Sequence, residues 1–288
     1  MARPALRLAD NAPGTYYVDA SCIDCGVCRE VAPGLFAASP AGRSFVARQP
    51  AGPAEERRAR MALVACPTAS IGASERVPMG EAVAAFPEPL GGGVYFCGFA
   101  SARSYGAQSY LVVRPGGNVL VDSPRAAGPL FRALERLGGV ATMFLTHRDD
   151  VADHEAFRRR FGCERVLHER DVTAATRGVE RVVRGDDPVA LGEGLEAVPV
   201  PGHTAGSMAL LYDGRALFSG DHLAGSPRGG LEAWPDLCWH SWPAQRRSLA
   251  RLLALPFSWV LPGHGARARA PSVAAMHGAL RALLRRLP

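Results

Sequence analysis

The chain has 288 residues, 48% of them hydrophobic, a length and apolar share that support one large or two modest globular domains and exclude a disordered chain. All 33 basic residues are arginine, against 27 acids, for a net charge of +6; they are scattered, with no patch, stripe or aromatic platform, which argues against nucleic acid as a partner. No apolar run is long enough for a signal peptide or a bilayer span, so the expectation is a cytoplasmic protein with no membrane contact.

The first chemistry along the chain is sulfur. Cys22, Cys25 and Cys28 stand in the run CIDCGVC, and Cys66 is followed at once by Pro67. This spacing lets three thiolates converge from one tight loop while a fourth closes the cage from far along the chain, the ligand pattern of an iron–sulfur cluster. Gly26 lets backbone N–H groups approach the cluster sulfurs, and Ile23, Val27 and Pro67 are placed to shield them from water. A structural zinc site would instead draw on two separated CxxC pairs. The segments CIDCGVCREVAPGLF and ACPTASIG resemble the two ligand stretches of bacterial single-cluster [4Fe-4S] ferredoxins, over about the first quarter of the chain. The resemblance implies a small α+β domain with a [4Fe-4S] cofactor held by these four cysteines, and an electron-transfer partner. Such ferredoxins are usually acidic, whereas Arg29, Arg43, Arg48, Arg57, Arg58 and Arg60 dominate here, so the usual docking surface is not expected. Cys97, Cys163 and Cys238 are expected to be buried thiols, as suits a reducing compartment.

A helix is predicted over 55–65, with Met61 and Val64 on one face, leading into Cys66. The apolar signal fades after Ile71, which bounds a first domain at 1–76; the prolines and the glycine triplet of 77–93 read as a linker. From Val94 to the end, short β-branched runs alternate with helix-like segments, the pattern of a layered α/β domain over 94–288. SYLVV and NVLVD flank Pro115-Gly116-Gly117 as a hairpin, and MALLY and RALFS flank Asp213-Gly214 as another. Leu130, Phe131, Leu134 and Leu137 recur at helical spacing before Gly138, a C-cap residue.

Four strand-like runs in this second domain each end in a metal-competent residue: VATMFLT in His147, LEAVPVPG in His203, RALFSG in Asp221 and SWVLPG in His264. Residues just past the ends of packed strands are held at fixed mutual distances, which suits a metal cage. After His147, Asp149, Asp150, Asp153 and His154 crowd where a helix is expected to begin; any one acid there reads as ordinary capping, but the set does not. The motifs THRDDVADH, PGHTAGS, SGD and PGHG, in this order, resemble those of the metallo-β-lactamase fold. The resemblance implies a four-layer αββα sandwich, a first metal on His147 and His203, a second on Asp153, His154 and His264, and Asp221 bridging them. It also places Asp122 where that fold carries an aspartate that orients a ligand, and it points, through GHTAGS, to the thioesterase-like and glyoxalase II-like branch.

The first motif departs from the family pattern. Asp149 stands at the spacing of the second histidine, and two extra residues precede Asp153. Asp149 as ligand makes the first site richer in oxygen and shifts its preference from zinc toward iron or manganese. Asp150 is a rival for the role, lying three and four residues before Asp153 and His154; if neither binds, the site holds one divalent ion rather than two. His168, His222, His240 and His277 match no ligand position, and Trp234, Trp239 and Trp242 read as packing beside the helix that carries Leu249, Leu252 and Leu253.

The leading functional reading is a metal-dependent hydrolase of a small thioester or related ester, with Asp153 orienting the attacking water. No GxSxG elbow or cysteine–histidine pairing competes with it. An iron-dependent oxidoreductase in which the cluster feeds a diiron centre is the alternative. A redox-controlled binding protein with an incomplete metal site is the third reading. Oligomeric state is not legible in the sequence.

Overall fold

The computed structural model describes residues 2–288. The N-terminal unit runs β1 (Tyr16–Val18), α1 (Val27–Val31), β2 (Phe36–Ala38), β3 (Ser44–Val46), α2 (Pro53–Ala65) and β4 (Ile71–Ala73). β1 pairs antiparallel with β4, and β2 with β3. Proline opens α2, where its missing N–H costs nothing, and Glu55 and Glu56 meet the positive end of the helix. The helix buries Ala59, Met61, Ala62, Val64 and Ala65 and delivers Cys66 just beyond its last turn.

Residues 77–93 form more than the expected linker: they hold α3 (Gly80–Ala84) and β5 (Glu88–Gly91). Pro89 is tolerated because β5 is an edge strand, and the positive φ angles of Gly91, Gly92 and Gly93 turn the chain into its partner β6 (Val94–Phe96). The chain continues through β7 (Tyr110–Val112), β8 (Val119–Val121), α4 (Gly128–Arg136), β9 (Thr142–Phe144), α5 (His154–Phe161), β10 (Glu164–His168) and β11 (Arg181–Val183). These strands make a seven-stranded sheet in the order β11-β10-β9-β8-β7-β6-β5, antiparallel from β5 to β8 and parallel from β8 to β11.

A second sheet takes β12 (Val189–Gly192), β13 (Leu195–Pro199), β14 (Met208–Tyr212) and β15 (Ala216–Gly220). After the β16 (Ala224–Gly225) and β17 (Leu231–Glu232) hairpin and α6 (Trp242–Arg251), it adds β18 (Trp259–Pro262) and β19 (Ala268–Arg269); α7 (Val273–Arg286) ends the chain. Strand β14 is apolar at every position because both of its faces are covered. Met208, Leu210 and Tyr212 point into the interior between the sheets, while Ala209 and Leu211 meet Leu249, Met276, Leu280 and Leu283 of α6 and α7. With α4 and α5 covering the other sheet, the result is the expected four-layer αββα sandwich behind a small α+β unit.

The two parts share one apolar core. Val27, Val31, Met61 and Ala65 of the N-terminal unit lie in the same buried cluster as Phe86, Val94 and Phe96. Phe86 packs edge-on against Phe96 and Phe99, with ring centroids 5.8 and 5.9 Å apart. Arg58 of α2 pairs with Glu88 of β5, and the Arg125 guanidinium donates to the Val64 carbonyl at 3.2 Å. No helix among the described residues is long and apolar enough to cross a membrane.

Candidate metal centre

Parallel strands end on the same side of a sheet, so β8 and β9 deliver Asp122 and the Thr146–His147 pair to one place. The Thr146 N–H and hydroxyl donate to the Asp122 carboxylate at 2.8 and 3.0 Å. With its proton committed, the Thr146 oxygen is left to accept from His147 Nδ1 at 2.9 Å, which turns Nε2 outward as a free lone pair. Burial pushes the Asp122 carboxyl upward, and the hydrogen bonds from Thr146 oppose that by favouring the carboxylate.

His203 comes from the turn between β13 and β14. Gly202 is required there, since a Cβ on it would lie 2.3 Å from Gln245 Cβ and 2.4 Å from its Cα. Asp171, which the sequence reading did not single out, ties the two histidine loops together: its carboxylate accepts from the Arg148 and Gly206 N–H groups at 3.0 Å and from the Thr204 hydroxyl at 2.5 Å. Its only sequence signal is its place just after β10, a strand-end position like those of the other site residues.

The Nε2 atoms of His147, His203 and His264 lie 3.8, 3.7 and 3.8 Å from Asp221 Oδ2, so this one oxygen is central to all three rings. Asp149 Oδ2 is 3.9 Å from His147 Nε2 and 3.6 Å from His203 Nε2, and Asp150 Oδ1 is 4.0 Å from His264 Nε2. These separations are too long for hydrogen bonds but close to the roughly 3.3–3.6 Å between ligands that share one ion at bond lengths of about 2.0–2.2 Å. The ligand atoms of His147, Asp149 and His203 form one candidate group, and those of His147, Asp150 and Asp221 a second. His147 Nε2, His203 Nε2, Asp150 Oδ2 and Asp221 Oδ1 are buried with no hydrogen-bond partner, a costly state that a divalent cation removes. Burial drives Asp150 well above the ordinary carboxylate range, reinforced by Asp221 and Asp122, whereas His264, His147 and His203 outweigh burial at Asp221 and lower it. The donor set therefore fits one or two divalent ions.

The structure does not bring Asp153 and His154 to this cluster, contrary to the reading that gave them to the second metal. Ala152 takes a positive φ just before α5, and Asp153 is the N-cap residue of that helix. There the Asp153 carboxylate pairs with Arg103 at 2.8 Å and accepts from the Ala126 N–H at 2.8 Å. His154 lies against Arg165, Nδ1 to Nη1 2.9 Å. Asp150 stands beside His147 and Asp221 instead, and Gly263 makes room for it, since a Cβ there would lie 2.8 Å from Asp150 Oδ2 and 2.7 Å from Asp221 Oδ1. Asp149 and Asp150 thus both approach the cluster, where the sequence offered them as rivals. His222 is buried beside Asp221 with both ring nitrogens unpartnered, and burial pushes it down to about 3.

The rim of the site is apolar. Tyr105, Leu237 and Trp239 are 60%, 49% and 61% exposed, three of the four exposed large apolar side chains among the described residues. The Tyr105 ring centroid is 6.2 Å from that of His264 and the Trp239 centroid 6.1 Å from that of His203. Trp239 is therefore at the mouth of the site rather than packed in the core.

Cys22, Cys25, Cys28 and Cys66 line a single recess with Val18, Ile23, Pro67 and Ile71, and none is in a disulfide. The Asp24 and Ser44 N–H groups point at Cys22 Sγ from 3.5 and 3.4 Å, and that of Ser70 at Cys66 Sγ from 3.3 Å. Burial pushes the Cys25 and Cys28 thiols up to about 12, so deprotonating them in place calls for a bound cation or cluster. The donor set fits an iron–sulfur cluster.

Comparison with known proteins agrees with both parts. Residues 18–73 match the sequence model described as the 4Fe-4S single cluster domain of Ferredoxin I, and residues 104–264 that of the metallo-beta-lactamase superfamily. A hydroxyacylglutathione hydrolase of Anaeromyxobacter dehalogenans is 33% identical over 210 residues, covering 62% of this chain and 76% of that protein. The protein of the same name from Mesorhizobium japonicum is 32% identical over 149 residues, 50% of this chain and 55% of that one. The chain spans about half the length of several of these curated relatives. The B3 metallo-beta-lactamase BLEG-1 shares the fold, with a TM-score of 0.50 at 20% identity over 63% of this chain and 95% of its own. A ferredoxin-type single-cluster domain is thus fused to an αββα sandwich, and the chain belongs to the metallo-beta-lactamase superfamily.

Proposed function

We propose that this protein is a metal-dependent hydrolase of acyl thioesters or related activated esters, carrying a [4Fe-4S] cluster on Cys22, Cys25, Cys28 and Cys66. In this reading the cluster unit is 1–76 and the hydrolytic unit is 94–288 together with the edge strand β5 (Glu88–Gly91) of the segment between them. The observation that carries it is the convergence of unpartnered His147, His203, Asp150 and Asp221 atoms at one end of the sandwich. Divalent ions bound there would acidify water and polarise a carbonyl. The chain's own contribution is geometric. Thr146 and Asp122 fix the His147 tautomer, Asp171 holds the His203 loop, and Asp221 stands between the three imidazoles. Tyr105, Leu237 and Trp239 offer an apolar rim for the acyl part of a substrate and keep bulk water from that side. The choice of thioester rests on the relatives named for acylglutathione hydrolysis.

His203→Ala is expected to abolish thioester turnover while leaving the cluster's visible absorbance intact. Undiminished turnover would remove the His/Asp cluster from the reaction.

The oxidoreductase reading keeps one specific support: Asp149 is half exposed and sits between His147 and His203, giving a carboxylate-rich first site that suits iron. Metal counts on protein purified without oxygen separate the two. About four iron with one or two zinc supports the hydrolase, and about six iron with little zinc supports a cluster beside a diiron centre.

A further inference from the structure

The loop that carries His264 is held at Pro262, Gly263, Gly265 and Arg267. Tyr110 donates to the Pro262 carbonyl at 2.9 Å. The Gln108 backbone N–H donates to the Gly263 carbonyl at 2.7 Å, and its side-chain Nε2 to the Gly265 carbonyl at 2.8 Å, so one buried glutamine clamps both neighbours of His264. The Arg267 N–H and Nε donate to Glu30 Oε2 at 3.3 and 3.5 Å.

Two of these holds lead straight to the cysteines. Glu30 is in α1, two residues after Cys28. Gln108 follows Gly106, which is seated on Cys25: a Cβ on Gly106 would lie 2.5 Å from Cys25 Cβ, 2.8 Å from its Sγ and 3.0 Å from Pro67 Cγ. At φ +86° Gly106 is in the left-handed region, and its N–H donates to Ser101 at 2.8 Å, so the loop cannot easily retreat from the recess. Nothing in the chemistry of hydrolysis asks for these contacts.

We propose that the cysteine segment is a positioning element for His264, acting through Gly106–Gln108 on one side and Glu30–Arg267 on the other, so that the cluster's charge state sets metal affinity at the His264 half of the site. This rests on the reading that the recess holds a [4Fe-4S] cluster and the His/Asp site a divalent ion. Coupling of this kind is reciprocal, so a bound metal must shift the cluster's midpoint by the matching amount.

The test is a reductive titration of the full-length protein with dithionite as electron donor, following the cluster's visible absorbance, with and without Zn²⁺ as a redox-inert probe. Iron and zinc are counted first. Lack of four iron, or of zinc retained at the site, overturns the underlying reading and the proposal with it. With both present, zinc affinity is expected to differ about tenfold between oxidised and reduced cluster, read as a one-electron midpoint shift of about 59 mV. Gln108→Ala removes the side-chain hold on Gly265 and is expected to cut the difference to about twofold or less. Glu30→Gln tests the second brace with a near-isosteric change should the first variant fold poorly, and is expected to weaken the coupling likewise. A midpoint indifferent to zinc in the unaltered protein, or a shift of full size in both variants, overturns the proposal. The second outcome would mean that the two sites interact through space and not through the His264 loop.

Discussion

Asp150 and Asp153 lie within one turn of chain yet do different work. Asp150 is buried with one oxygen unpartnered and aimed at the cluster, whereas Asp153 spends both oxygens on Arg103 and the Ala126 N–H. Asp150→Asn is expected to lower metal content and cut turnover by about a hundredfold or more, above the 10- to 100-fold usual for groups that merely support a ligand. Asp153→Asn is expected to retain its metal and lose about 1 kcal/mol of stability through weaker loop contacts. Metal counts on the two purified variants decide the matter, and equal loss from both would return Asp153 to the metal shell. Identity of residue type could not choose between these acids, three and six residues after His147, because what separates them is the positive φ of Ala152 and the position of Arg103, 50 residues before Asp153.

Helix α5 and strand β10 are joined by Arg165, which is buried and bonded to Glu155, Glu180, His154 and the Gly178 carbonyl. Burial would raise the Glu180 carboxyl, but hydrogen bonds from Arg165 and Arg158 outweigh it and hold the group down to about 2, against 4.5 in an unstructured chain. A group depressed in this way contributes stability above about pH 4.5 and loses it as pH falls through the folded value. Glu180→Gln is therefore expected to lower the melting temperature at pH 7, with the difference from the unaltered protein shrinking steadily below about pH 4.5. A difference that stays constant down to pH 3 would show that the carboxylate charge is irrelevant. At this scale the sequence was most legible: the 110–112/119–121 and 208–212/216–220 hairpins, the helix into Cys66 and the helix before Gly138 all form where periodicity placed them. Residues 77–93 did not, since the prolines and glycines that read as a linker also suit an edge strand and its turn.

The shared apolar core makes a prediction for the whole molecule. Because the N-terminal unit and the first sheet bury one continuous cluster, thermal unfolding followed by far-ultraviolet dichroism and by loss of cluster absorbance is expected to give coincident transitions. Two well-separated transitions would mean that the units are independent modules on a tether. Several of the arginines that set this segment apart from acidic ferredoxins are internally committed: Arg29 to Asp24 and Arg48 to Glu55 neutralise acids within the unit, and Arg58 to Glu88 ties it to β5. The same closeness places Gly106 against Cys25, where Gly106→Val is expected to lower iron retention, measured as iron per chain, by forcing the loop off the recess.

Cysteine spacing, strand-end histidines and the periods of apolar residues are local properties that survive in one dimension, so the candidate ligand types and a layered α/β second domain were legible in the chain, while the four-layer sandwich came from the resemblance of its motifs. Only the folded chain shows which acids of the 149–153 stretch face the histidine cluster, that Trp239 is at the mouth of the site and that Asp171 joins the two histidine loops. It also shows that the loop holding His264 is braced from the cysteine segment. Each of these depends on a partner at least 20 residues away in the chain, Arg103 for Asp153, Asp171 for the His147 and His203 loops, Glu30 for Arg267, and long-range contacts of that kind leave no period or motif to read.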